Sequence, residues 1–194
     1  IIYLCLNICT FVNRKIRMVT NNKLEVKTIY NVFGILEGDL EPDRYVIVGN
    51  HRDSYGVGAM DAVTGSAPML ESARLFGELK KKGIWRPRRS IVFASFSGEE
   101  QGLIGSFEFV EQYFNLLQSN TLAYINIDTC VKGPDVDIEA WPSLKEICRD
   151  TFKRVPAHKR GPEQPMTSEK SVYDNWVQQL KEENKISADN KIMP

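Results

Sequence analysis

Tyr45-Val46-Ile47-Val48-Gly49-Asn50-His51-Arg52-Asp53 is the stretch from which the fold can be read. Tyr45 to Val48 is a short unbroken apolar run, the pattern of a strand buried on both faces. It leads directly into a histidine and an aspartate. The same arrangement recurs twice: Ile91 to Phe96 leads into Ser97-Gly98-Glu99-Glu100, and Leu122 to Ile127 leads into Asp128. Helical patterns lie between these runs. Over Ser66 to Lys82, Met69, Ala73 and Phe76 recur at helical spacing, with Leu75 and Leu79 beside them. Pro68 is placed in the first turn, where a missing N–H costs nothing, and Gly83 ends the helix. Further helices are expected over Ser106–Leu117, Ser143–Arg154 and Ser171–Glu182, and a long strand over Val26–Leu36, with a turn through Gly38 and Glu41-Pro42-Asp43 before Tyr45. Pro156 to Lys170 is rich in proline, glycine and charge and reads as a loop. Strands alternating with helices indicate an α/β sandwich with a largely parallel sheet.

In such a sheet the parallel strands bring their carboxyl ends to one edge, and ligands bind there. His51, Glu99, Glu100 and Asp128 should therefore converge despite their separation in sequence. Asp61, ten positions beyond His51 in a glycine-rich loop, can fold back to the same edge. Taken singly, a histidine after a strand is usually structural and a Glu-Glu pair is usually a solvated helix start. Together they place one imidazole and four carboxylates at one edge, where the acids repel unless cations compensate them. Imidazole with carboxylates suits zinc or a similar divalent ion, and two ions sharing a carboxylate would account for so many acids.

Composition adds bounds. The 194 residues suffice for one domain with a real core. Lys plus Arg equals Asp plus Glu at 25 each, so charge gives no support to a nucleic-acid or anionic-membrane partner. The basic run Lys80–Lys82 with Arg86, Arg88 and Arg89 reads as a solvated helix end and turn. The four cysteines, Cys5, Cys9, Cys130 and Cys148, are too few and scattered for a disulfide framework. Ile1 to Val12 is apolar but far short of a spanning helix, and it lacks a small-residue cleavage site. Residues 1–14 stay unassigned, and 183–194 close no recognisable element. Both ends are expected to be cuts or gene-model edges.

Four segments resemble one known family. They are Glu41 to Ser54, Trp85 to Ser95, Glu99-Glu100-Gln101-Gly102-Leu103-Ile104-Gly105-Ser106, and Ala123-Tyr124-Ile125-Asn126-Ile127-Asp128. Together they resemble the zinc peptidases that include glutamate carboxypeptidase II, with the transferrin receptor as a non-catalytic relative. The resemblance runs from roughly Lys15 to Trp176. It implies a three-layer, aminopeptidase-like sandwich with a mixed sheet, present as a partial peptidase domain.

By that resemblance, His51 and Asp128 would hold one zinc, Glu100 the other, and Asp61 would bridge them. Glu99 would be the general base toward the attacking water, and Asp53 would orient the His51 imidazole. A cis peptide between Asp61 and Ala62 is also implied. Glu108 and Glu111 match acids that hold a structural calcium, against the plain alternative of two solvated acids. The implied activity is exopeptidase hydrolysis of a peptide substrate, in a homodimeric parent whose dimer contacts lie in regions not present here. Its implied place is the extracellular part of a single-pass membrane protein.

The second zinc would also take a distal histidine, followed by a substrate-holding tyrosine, expected beyond the point matching Pro194. His158 matches nothing catalytic. The arginine and asparagine cluster that binds a terminal glutamate has no counterpart either. Two other readings are a transferrin-receptor-like binding protein and an inactive truncated product. The presence of His51, Asp61, Glu99, Glu100 and Asp128 argues against the first of these.

Overall fold

A computed structural model of the chain describes residues 17–131, 136, 138–157 and 170–182. The expectations for residues 1–14, His158 and 183–194 lie outside that set.

Among the described residues, four strands form one sheet. They are β1 (Val32–Leu36), β2 (Glu41–His51), β3 (Arg89–Phe96) and β4 (Thr121–Asn126), in the order β1-β3-β2-β4. β2 runs parallel to both β3 and β4, with His51 opposite Phe96 and Gly49 opposite Asn126. β1 is antiparallel to β3 and makes the sheet mixed. The carboxyl ends of the three parallel strands therefore share one edge.

Helix α1 (Val63–Lys81) covers one face and packs along β1, β2 and β3. The opposite face carries the core of Ile47, Val92, Ala94 and Phe96, closed by Phe109 of α2 (Ile104–Gln112) and Leu117 of α3 (Phe114–Asn120). This gives three layers, helix on sheet on helix. Phe33, Phe96 and Phe109 stack with ring centres 4.7–6.1 Å apart and anchor β1 to that core. α4 (Lys145–Arg154) and α5 (Val172–Glu182) pack on each other around Trp176 and Leu180, which form a second apolar cluster with Tyr173 and Cys148. No described helix is long and apolar enough to cross a membrane.

Several elements differ from the sequence expectation. The strand expected over Val26–Leu36 is regular only from Val32, where β3 offers a partner; Leu24 and Val26 are fully exposed. Glu41 to Asp43, expected as a turn, belongs to β2, with a register irregularity before Tyr45. α1 starts at Val63, three residues early, which moves Pro68 from the first turn to the second. Its end is as expected. Gly83, at φ 69°, donates to Lys80 while Ile84 donates to Leu79, the paired bonds that satisfy a helix's last carbonyls. The helix expected over Ser106–Leu117 is broken at Tyr113 into α2 and α3.

β4 is not buried on both faces. Among the described residues it forms the sheet's edge, and Leu122, Tyr124 and Ile125 are each 47% exposed. Beside it an apolar cavity of about 600 Å³ opens between the sheet and α2–α3, lined by Phe107, Val110, Phe114 and Tyr124 among others.

Candidate metal centre

Three strand ends and one helix start build the site. β2 delivers His51, the loop after β3 delivers Glu99 and Glu100, and the loop after β4 delivers Asp128. Asp61 comes from the residue pair Asp61–Ala62, joined by a cis bond, immediately before α1. Ligand atoms of His51, Asp61 and Asp128 lie within 4.8 Å of one another. His51 Nε2 stands 2.9 Å from Asp61 Oδ1, 3.0 Å from Asp128 Oδ1 and 3.8 Å from Glu99 Oε2.

The imidazole is fixed from behind. His51 is buried, and its Nδ1–H donates to the Asp53 main-chain carbonyl at 2.9 Å. With the proton committed to Nδ1, the Nε2 electron pair points at two carboxylate oxygens. Such an arrangement is repulsive unless a proton or a metal ion lies between. Burial by itself lowers the His51 pKa, but the Asp128 carboxylate, by charge and hydrogen bond, and the Glu99 charge outweigh it, so the pKa rises above 6.5.

Asp53 is turned differently from the expectation. Its carboxylate lies 3.7 Å from Nδ1 and instead accepts the main-chain N–H groups of Glu99 and Glu100, each at 3.1 Å. The imidazole contact belongs to the Asp53 backbone, while its side chain sets the loop of the two glutamates. Burial raises the Asp53 pKa, but these two N–H donors prevail and hold it below the usual carboxylate value. Glu99 moves the opposite way. Burial raises its pKa first, His51 opposes, and the charges on Asp128, Glu100 and Asp61 add to the rise.

Glu100 stands outside the close trio. Its carboxylate accepts the Tyr55 N–H at 3.2 Å, and the Tyr55 hydroxyl donates to its carbonyl at 2.8 Å. Glu108 and Glu111 are exposed on α2, and among the described residues no third acid joins them. The cationic run is spent on local pairs, Arg86 with Asp39 and both Arg88 and Arg89 with Glu41.

The sequence profile of peptidase family M28 matches residues 31–176. The chain belongs to peptidase family M28. Among curated relatives of this M28 chain, mouse "Aminopeptidase NAALADL1" is 45% identical over 164 residues, which is 84% of this chain and 21% of that protein. "Probable glutamate carboxypeptidase LAMP1" of Arabidopsis thaliana is 40% identical over 152 residues, covering 78% and 21%. The chain thus spans about a fifth of the length of these relatives. The fold is also that of a solved zinc aminopeptidase from Bacillus subtilis. The TM-score is 0.52 at 18% identity, over 84% of this chain and 46% of that one. An aminopeptidase from Aneurinibacillus sp. strain AM-1 likewise gives 0.52 at 21% identity, over 75% and 36%.

This donor set fits zinc, because His51 Nε2 and carboxylate oxygens already converge and the ring's other nitrogen, Nδ1, is held by the Asp53 carbonyl. A pH dependence follows. In the metal-free protein the raised His51 pKa contributes stability that is fully present below 6.5 and is lost as pH rises through the higher folded value. Zinc bound at Nε2 would compete with that same proton. The rise in thermal midpoint on adding zinc should therefore be small at about pH 5.5 and large at about pH 8. Equal shifts at both would show that zinc does not bind at His51.

Proposed function

We propose that this chain is the metal-holding part of a zinc exopeptidase that hydrolyses a terminal peptide bond. The observation that carries the proposal is the convergence of His51 Nε2 with one oxygen each of Asp61 and Asp128 at 2.9–3.0 Å, with Nδ1 already occupied. His51, Asp61 and Asp128 would hold one zinc, and Glu100 would contribute to a second. Such ions would supply polarisation of the scissile carbonyl and acidification of the attacking water.

The chain's own groups do the rest. Glu99 reaches the trio without belonging to it, and burial among acids keeps its carboxylate basic. It accepts the water proton and returns it to the leaving amine. Asp53 holds the Glu99 and Glu100 backbones so that both side chains enter from one loop. The names of the relatives divide between aminopeptidase and carboxypeptidase. What they share with this chain is the metal-facing segment, so the proposal is for cleavage at a peptide terminus. Calcium at Glu108 and Glu111, and an extracellular, homodimeric parent, stay with the resemblance alone.

Since the described residues assemble one three-ligand set, the full chain is expected to retain about one zinc per molecule through dialysis. His51→Ala should release it. Elemental analysis of both proteins is the test, and a His51→Ala protein that keeps its zinc would sink the assignment.

A further inference from the structure

Asn50 precedes the candidate ligand His51 and is 2% exposed. Its Nδ2 donates to the Ala62 carbonyl at 3.2 Å and to Ser66 Oγ at 3.1 Å. Ala62 is the neighbour of Asp61. Ser66 Oγ in turn donates to the His51 carbonyl at 3.2 Å. Two hydrogen-bonding side chains thus tie the backbone beside Asp61 to the backbone of His51. The first turn of α1 also holds the third member of the trio. Thr64 Oγ1 accepts the Cys130 N–H at 3.1 Å, and at Gly65 the helix passes against the Ile127 and Asp128 carbonyls.

We infer that Asn50 and Ser66 are positioning residues that set the separation of His51 and Asp61 at the metal. The inference rests on the zinc reading above. Asn50 is an expensive choice for stability alone, because its Oδ1 is buried and among the described residues has no hydrogen-bond partner. Ser66 is likewise a poorer helix former than alanine. Both residues give up local stability and both reach a main-chain group adjoining a metal-facing side chain.

Ser66→Ala, Ser66→Thr and Asn50→Asp in the full chain test this. The readouts are zinc affinity by chelator competition, the cobalt absorption spectrum, and urea unfolding of the metal-free protein. Ser66→Ala should weaken zinc about tenfold or more, the loss usual for groups that orient ligands, and should shift the cobalt spectrum. Its metal-free unfolding midpoint should be unchanged or higher. Ser66→Thr keeps the hydroxyl and should restore affinity and spectrum. Asn50→Asp, which keeps the shape but removes both donors, should lose at least as much affinity. If Asn50→Asp does not fold, the two Ser66 variants decide alone. Ser66→Ala with parental affinity and spectrum would overturn the inference. So would a loss of affinity matched by lost metal-free stability, or failure of threonine to restore binding. If the parental sequence binds neither cobalt nor zinc, the metal site itself falls and this inference with it, an outcome distinct from a parent that binds beside an indifferent variant.

Discussion

Glu99→Gln is expected to leave zinc bound and to lower peptide hydrolysis by about two to four orders of magnitude in the active enzyme. Glutamine fills the same space and can keep the main-chain bond from Glu99 N–H to Asp53, so the loop stays in place. What it loses is the ability to take a proton. Burial and three neighbouring acids hold the Glu99 carboxylate above the usual pKa, which makes it the more basic acceptor. Turnover and bound zinc measured on the same preparation separate the two roles. Near-parental turnover would assign the base to another residue, and loss of zinc would make Glu99 a ligand.

Gly65→Ala should have a far larger structural effect than the same change at Gly77, the other glycine of α1. A Cβ there would overlap the main-chain oxygens of Ile127 and Asp128 and come within 2.7 Å of Asn50 Nδ2. Alanine in place of glycine gains up to about 1 kcal/mol in propensity in a helix interior, an upper bound for Gly65 in the first turn. Forcing backbone apart costs about 1–3 kcal/mol and occasionally more, so the overlap decides the sign. The displaced segment carries Asp128, so zinc affinity should fall with stability. Gly77→Ala is the control in the same helix, because its Cβ meets nothing within 4 Å. It should stabilise the chain by about 0.5–1 kcal/mol and leave zinc binding alone. Urea unfolding of both variants checks the pair. Similar responses at the two positions would mean that α1 does not press on the Asp128 loop.

The strand ends were legible because each apolar run stops at a residue able to bind a metal. Parallel pairing then brings His51, Glu99 and Asp128 to one edge whatever the loops between them do. Contacts made by main-chain atoms left no such trace. The Asp53 carboxylate binds two backbone N–H groups, which every sequence offers equally, so the residues alone gave no sign of them and only the family resemblance assigned Asp53 a role, at the imidazole. Asn50, Gly65 and Ser66 were missed for a related reason. A polar residue closing a buried strand and the small run Thr64-Gly65-Ser66 before a proline are the only signals, and they read as an ordinary helix start. The exposure of β4 was also illegible. Leu122 to Ile127 is as apolar as the buried strands, but its place in the sheet depends on pairing order.

The pairing order has a consequence for how the protein is made. His51 and Asp128 meet across 77 positions, and β4 joins β2 only after β3 and the three helices α1, α2 and α3 have been synthesised. Long loops must close before such contacts repay their entropy, so parallel pairing of this kind is slow. A nascent chain that has not yet released β4 from the ribosome can display His51 and Asp61 but cannot encircle an ion with them. On the proposed zinc reading, metal capture would therefore be a late event in biosynthesis. A chain stalled before β4 would leave the β2 edge that β4 covers exposed to neighbouring strands.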